Sequence, residues 1–146
     1  MLLRSANKVA CLLLLLLALT VSAFAGEHRD ECVICGMWID QYMGTRHVIT
    51  LKDNATKSFC SIACAARYLN ENKGKVKNVK VADFHTEKLI DAEKAYYIEG
   101  SDVSGVMSYI SRIAFSTKND AEKFQKRHGG RIITFKQALE NQLNKH

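Results

Sequence analysis

Four cysteines carry the clearest chemical signal in this sequence of 146 residues. A C-x2-C pair is followed, 24 residues later, by a C-x3-C pair; the four residues are Cys32, Cys35, Cys60 and Cys64. Cysteine thiolates are both nucleophiles and soft metal ligands. Four of them in this spacing are compatible with two disulfides, a thiol redox centre or a thiolate metal site.

Each cysteine pair lies in a segment that suits a metal site. In ECVICGMW, Gly36 favours a tight knuckle whose backbone N–H groups point at the sulfurs, because glycine adopts conformations that a side chain hinders. In FCSIAC, a helix is expected to begin near Cys60, which places Cys60 and Cys64 at positions i and i+4 on one face of its first turn. A helix N-terminus stabilises thiolates. A knuckle, a hairpin and a helix start together predict a treble-clef-like metal site.

The spacing favours metal ligation, and the alternatives stay open. A thioredoxin-like centre needs a strand before its C-x2-C pair and a helix after it, whereas a glycine-led hairpin follows Cys35. Disulfides are typical of exported proteins. A bridge from Cys60 to Cys64 would strain a helical turn, but bridges between the two pairs are geometrically easier. Four thiolates suit structural Zn(II), and soft sulfur donors suit Cu(I).

Two methionines bear on the choice of metal, because a thioether is a soft donor that favours Cu(I). Met37 adjoins the knuckle, and Met107 lies in GSDVSGVMSY, a small-residue loop with little need of a buried methionine. Both are therefore candidate ligands beside the four cysteines. The alternative is that they fill the core, as methionines more often do.

Residues 1–25 are expected to be a cleavable secretory signal peptide. A basic leader precedes the apolar run CLLLLLLALTV, and SAFA provides a small-x-small cleavage pattern before Gly26. The run is short for a membrane span, and no lipobox cysteine follows it, since Cys11 precedes the cleavage position. We expect a periplasmic or secreted protein with no stable membrane insertion after cleavage.

The charge and the motifs exclude several classes of function. Cleavage would remove two basic residues and no acidic ones, so the net charge of +6 would fall by two. Lysines are scattered among acids and no basic run alternates with aromatic residues, so nucleic-acid binding has no support. The sequence has no catalytic triad with supporting context, no catalytic carboxylate pair and no phosphate-cradling loop. We therefore predict that the protein is not an enzyme.

Patterns along the chain predict an α+β fold around the cysteines. Strands are expected at Trp38–Tyr42 and His47–Leu51, and a helix is expected to start near Cys60. Further strands are predicted in KVKNVKVADF, KLIDAEKAYYIEG, RIAF and RIITF. Further helices are predicted in STKNDAEKFQKRHGG and KQALENQLNKH.

An internal repeat organises these elements. At an offset of 56 residues, FCSIACAARYLNENKG aligns without a gap with FSTKNDAEKFQKRHGG, so that Ser116 and Asp120 take the places of Cys60 and Cys64. We predict two related small ββα units, the first of them treble-clef-like, packed as one compact domain. The predicted segments are a signal peptide at 1–25, a cysteine-bearing metal-binding unit at 26–80, and a second ββα-type unit with a C-terminal helix at 81–146.

Several segments, in this order, resemble the NosL family of accessory proteins of nitrous oxide reductase. They are CVICGM, DFHTEKLIDAEKAYYIEGSDV, the following Met107, AFSTKNDAEKF and HGGRIITFKQAL. The resemblance runs from about Glu31 to Leu139. It implies a periplasmic Cu(I)-binding protein of two ββα-type units that delivers copper for assembly of the reductase's tetranuclear copper–sulfide centre. It also implies Cys35 and Met37 as ligands, with Cys32 beside them, and Met107 from the second unit.

The sequence departs from the family pattern in two respects. Many family members are lipoproteins, whereas this chain has no lipobox cysteine. The second pair, in FCSIAC, resembles the metal-binding motif of TRASH-type domains. A structural Zn(II)-binding interaction module and a thiol oxidoreductase therefore remain as alternatives to a Cu(I) chaperone. The expected partner is a copper-accepting client such as nitrous oxide reductase, and a homodimer stays open.

Overall fold

The computed structural model describes residues 30–144, so the predicted signal peptide lies outside the described residues. Within that range, the strands and α-helices follow in this order: β1 (His47–Leu51), β2 (Thr56–Phe59), α1 (Ile62–Glu71), β3 (Val76–Ala82), β4 (Leu89–Asp91), β5 (Tyr96–Glu99), β6 (Arg112–Phe115), α2 (Lys118–His128), β7 (Arg131–Ile133) and α3 (Phe135–Leu143). None of the helices in this range is long and apolar enough to cross a membrane.

Two antiparallel sheets repeat the same arrangement. The first has the order β2-β1-β3-β4 and the second β6-β5-β7, so the first strand of each unit is central and a helix joins its second strand to its third. β2 and β6 begin at Thr56 and Arg112, and α1 and α2 begin at Ile62 and Lys118; both offsets equal the 56 residues of the sequence repeat. The α+β class and the related strand–strand–helix units are therefore confirmed.

The two units differ in the loop between their first two strands. Residues 52–55 connect β1 to β2, whereas residues 100–111 connect β5 to β6. The longer loop carries Met107 and gives the second unit a feature without a counterpart in the first. The boundary between the two units, predicted at residue 80, stays a prediction. The strand β4 follows this residue in the chain and pairs with β3 in the first sheet.

The predicted strand at Trp38–Tyr42 is wrong. Ile39–Tyr42 forms a 3-10 helix, and Trp38 makes an isolated bridge to Glu31. Ile39 and Tyr42, three residues apart, both pack against the core group that contains the cysteines. A 3-10 turn places such positions on one side, so burial of these two side chains overrides the local strand preference. β1 instead forms its hairpin with β2.

Buried apolar side chains tie the units together. One core group surrounds Phe59 and the cysteines in the first unit, and another surrounds Phe115 and Phe124 in the second. A third group spans both, because Ile62 of α1 lies with Tyr97 of β5 in the same cluster, and α1 packs against α3. The helix that carries Cys64 is thus positioned by both units.

His47 is buried where the two sheets meet. Its Nδ1 lies 3.0 Å from the carbonyl oxygen of Thr45, and its Nε2 lies 3.2 Å from the hydroxyl of Tyr97. Burial lowers the pKa of His47 from its ordinary value of 6.5 to about 4, since removal from water disfavours the imidazolium form. The ring is therefore neutral at neutral pH, and both of its nitrogens are engaged within the fold.

Acidification from pH 6.5 to pH 4 should destabilise the protein through His47. In this window the unfolded chain binds a proton that the folded ring does not, because the folded pKa is the lower one. The stability from the neutral ring is fully present above pH 6.5 and is lost as the pH falls to 4, on the order of 3 kcal/mol. Urea unfolding across this range should show a flatter pH profile for His47→Gln than for the wild type. Identical slopes would contradict the assignment.

Candidate metal centre

The four cysteines converge on one cluster. Their Sγ atoms all lie within 4.8 Å of one another. The Sγ of Cys60 is 3.6 Å from that of Cys35 and 3.7 Å from that of Cys64. All four are free thiols, and among residues 30–144 they form the one group of three or more metal-binding side chains close enough to share an ion.

Backbone hydrogen bonds shape the knuckle that carries the first pair. The N–H of Gly36 donates to the carbonyl of Cys32 at 2.8 Å, and the N–H of Cys32 donates to the carbonyl of Met37 at 2.9 Å. Gly36 has a φ of +73°, a left-handed conformation that a side chain hinders, in agreement with the tight knuckle predicted there. The N–H of Val33 donates to the carbonyl of Ser58 at 3.2 Å, which fastens the knuckle to β2.

The second pair lies at the corner between β2 and α1. Cys60 stands outside the helix, contrary to the prediction that both cysteines lie in its first turn, because β2 extends to Phe59 and Ser61 is the N-cap residue. Cys64 does lie in the first turn. The corner is held by Thr45, whose hydroxyl donates to the carbonyl of Cys60 at 2.8 Å. Thr45 had no signal in the sequence, since its role depends on a contact across 15 residues.

The N-terminus of α1 has no side-chain cap, unlike those of the two other α-helices described. In α2, the hydroxyl of Thr117 accepts from the N–H of Asp120, and α3 has a full capping box. Ser61 makes no such bond; its hydroxyl oxygen lies 3.8 Å from the Sγ of Cys60. The positive end of the α1 dipole therefore lies beside the sulfurs without a competing cap, an arrangement that favours thiolates.

Negative charge is unevenly distributed over the sulfurs. The hydrogen bond between the sulfurs of Cys60 and Cys64 lowers the pKa of Cys60 to about 6, against the opposing effect of burial. The same hydrogen bond raises the pKa of Cys64, and burial raises it further. Burial also raises the pKa of Cys35. Cys60 is thus the preferred thiolate, and binding of a soft cation would release protons from its neighbours.

The two candidate methionines lie in different surroundings. Met37 is half-buried and packs against the core group that contains Cys32 and Cys60. Met107 is 53 % exposed and has a left-handed backbone, with a φ of +54°. It lines a cavity of about 110 Å³ together with Cys64. The role of Met37 and Met107 as metal ligands stays a prediction. Among residues 30–144, this cavity is lined by Ala63, Cys64, Arg67, Met107, Gln142 and Leu143.

A buried ionic network adjoins a second, larger cavity. Met107 also lines this cavity of about 690 Å³, together with Tyr109 and Arg112. The carboxylate of Glu99 accepts from Arg112 Nε at 2.8 Å and from Arg131 Nε at 2.9 Å. Burial raises the pKa of Glu99, but these hydrogen bonds and charges lower it overall. The isolated glutamate in the apolar strand YYIE is the sequence signal that could have revealed this network.

The sequence of the chain is similar to one family model and to two curated proteins. A NosL family model matches residues 23–143. The chain is 31 % identical over 126 residues to the copper-binding lipoprotein NosL of Stutzerimonas stutzeri, covering 77 % of this chain and 64 % of that protein. It is 29 % identical over 96 residues to the HTH-type transcriptional repressor CutR of Bacillus subtilis, covering 66 % of this chain and 50 % of that protein. It therefore spans less than two thirds of either curated relative.

A solved structure shares the fold. The crystal structure of the copper chaperone NosL from Shewanella denitrificans matches with a TM-score of 0.65 and 30 % sequence identity. The match covers 73 % of this chain and 87 % of that one. The fold of this chain is therefore similar to that of a protein solved by crystallography.

Replacing Gly36 with Ala should weaken the knuckle through backbone strain alone. No atom lies within 4 Å of an added Cβ, but a left-handed φ costs an L-residue about 1 kcal/mol. Gly74→Ala is the matched control, because its Cβ position is equally open and its φ is not left-handed. Denaturant unfolding of the reduced protein should show the loss for Gly36→Ala only. Equal effects at both positions would contradict the knuckle geometry.

Proposed function

The chain belongs to the NosL family, and from this premise we propose that it is an exported copper chaperone that binds Cu(I) through its cysteine sulfurs. The observation that carries the proposal is the convergence of Cys32, Cys35, Cys60 and Cys64 within 4.8 Å. Thiolate is a soft donor that suits Cu(I), and the partial burial of the cluster shields the ion from competing water. The copper-binding and copper-chaperone names of the relatives support the choice of metal.

Met37 and Met107 supply additional soft donors in this proposal. Met37 packs against the core group that contains the cysteines, and Met107 lines a cavity together with Cys64, which makes each a candidate thioether donor. Transfer proceeds by ligand exchange. An incoming thiolate, thioether or imidazole replaces one sulfur at a time, so that the ion is never free.

The client follows from the family resemblance. It is a copper-accepting enzyme such as nitrous oxide reductase, whose assembly requires a supply of Cu(I). The signal peptide expected at residues 1–25 would place the chaperone in the periplasm. The chain's part in this process is binding and delivery rather than catalysis.

A structural zinc module is the second candidate, and the sulfur geometry favours it. The Sγ separations of 3.6 and 3.7 Å resemble the edge of a tetrahedron with Zn–S bonds of about 2.3 Å, which is about 3.8 Å long. Such a site would hold the knuckle against α1 and present a surface to a protein partner. It would move no metal.

Anaerobic titration of the reduced protein tests the copper proposal. Residues 26–146 should bind Cu(I) with proton release, and Cu(I) should displace Zn(II) at equal total concentration, because thiolates prefer the softer ion. Competition with a chromophoric chelator measures both affinities, and elemental analysis of the protein as isolated provides an independent readout. Retention of Zn(II) against excess Cu(I) would contradict a copper chaperone and favour the structural zinc module.

Substitution of the methionines separates the two candidates. Met37→Leu and Met107→Leu should each lower Cu(I) affinity by about tenfold, equivalent to about 1.4 kcal/mol, and leave Zn(II) affinity unchanged. Met43→Leu is the control, because Met43 lies in the turn before β1, where its sulfur accepts a hydrogen bond from Arg46. Equal Cu(I) affinities in all three variants would remove the methionines from the site.

A further inference from the structure

Cys35 differs from the other cysteines in its access to solvent. Cys32, Cys60 and Cys64 are 2 %, 0 % and 1 % exposed, whereas Cys35 is partly exposed. Thiol–disulfide exchange requires the attacking sulfur and the disulfide to meet along a line, so a buried thiol reacts slowly however close its neighbours are. An external disulfide should therefore react at Cys35 first.

Cys60 is well placed to complete the reaction. Its Sγ lies 3.6 Å from that of Cys35, and a disulfide requires about 2.05 Å, so an approach of about 1.5 Å closes the bond. Cys35 lies in a turn rather than in a strand or helix, and the turn can shift without breaking a sheet ladder. The pair Cys60 and Cys64 is almost as close, at 3.7 Å, but both of its members are buried.

We propose that Cys35 and Cys60 form a reversible disulfide that switches off the metal-binding cluster; the inference rests on the proposed function. The Cys35 thiolate attacks a small organic disulfide, breaks its S–S bond and expels one thiolate. The Cys60 thiolate then attacks the Cys35 sulfur of the mixed disulfide and expels the second. Two protein thiols are oxidised to one disulfide, and the external disulfide is reduced to two thiols, with two protons passing to the leaving groups.

The bond removes two of the four sulfur donors. Cys32 and Cys64 would remain as thiols, and the new bridge would join the knuckle to the strand–helix corner. Only two cysteine donors would then be left for the ion, so its affinity for the site falls even where a thioether also binds. In an oxidising compartment, oxidation of this pair would therefore release bound metal, and thiol reductants would restore the site.

The test uses reduced, metal-free residues 26–146 and oxidised glutathione in equimolar amount. Trypsin should then yield a linked pair of peptides, residues 30–46 and 58–67, in which fragmentation assigns the bond to Cys35 and Cys60. Circular dichroism should be retained, and Cu(I) affinity should fall by about tenfold or more. A bond within either pair, or a link that involves Cys32 or Cys64, would overturn the proposal.

Serine substitutions locate each step. Cys60→Ser should accumulate a glutathione adduct on Cys35, and Cys35→Ser should slow oxidation by about tenfold or more. Cys32→Ser and Cys64→Ser are matched controls that should still form the Cys35–Cys60 bond. If Cys64→Ser slows oxidation as much as Cys35→Ser, the order of attack is wrong and the proposal fails.

The two proposals fail in different ways. A protein that binds Cu(I) in the titration but never forms the Cys35–Cys60 bond refutes the switch and leaves the copper function standing. A protein that forms the bond but never binds Cu(I) refutes the copper function, and with it the role of the bond in metal release. The disulfide measurement needs no metal, so the two results are independent.

Discussion

The structure depends on the contact between the cysteine knuckle and the uncapped N-terminus of α1. Four sulfurs within 4.8 Å would repel one another as thiolates, so the site needs a compensating positive field or a cation. The start of α1 supplies part of that field, because no side chain caps it. The bonds from Val33 to Ser58 and from Thr45 to Cys60 hold the two halves of the site in place.

The second unit has a strand–strand–helix arrangement like that of the first, but polar residues replace the cysteines at the start of its helix. It has the same strand order and the same offset, but Asp120 takes the place of Cys64 and Thr117 caps the helix. An acidic residue and a hydroxyl cap therefore stand where the first unit has Cys64 and the uncapped Ser61. The second unit differs mainly in its loop at 100–111, which brings Met107 into a cavity shared with Cys64. The same strand order thus accompanies the cysteine cluster in the first unit, and the second unit packs against the helix that carries Cys64.

Local sequence signals placed most elements well and failed where packing overrides them. β1 occupies the predicted His47–Leu51, and the repeat aligned α1 with α2 correctly, because amphipathic spacing and capping residues act over a few neighbours. The strand predicted at Trp38–Tyr42 became a 3-10 helix, since Ile39 and Tyr42 are drawn into the cysteine core. Cys60 lies outside α1 for a related reason: pairing with β1 extends β2 as far as Phe59.

The sequence by itself determined the donor chemistry, because four cysteines in a C-x2-C and C-x3-C spacing supply soft sulfur wherever they fold. It also determined the repeat, since the spacing of apolar residues and the helix caps depend only on residues close together in the chain. The tertiary structure alone decided that the two pairs meet, that Cys60 becomes the preferred thiolate and that Cys35 stays accessible. These properties depend on burial and on distances between residues far apart in the chain, which arise only when the knuckle, the hairpin and the helix pack together.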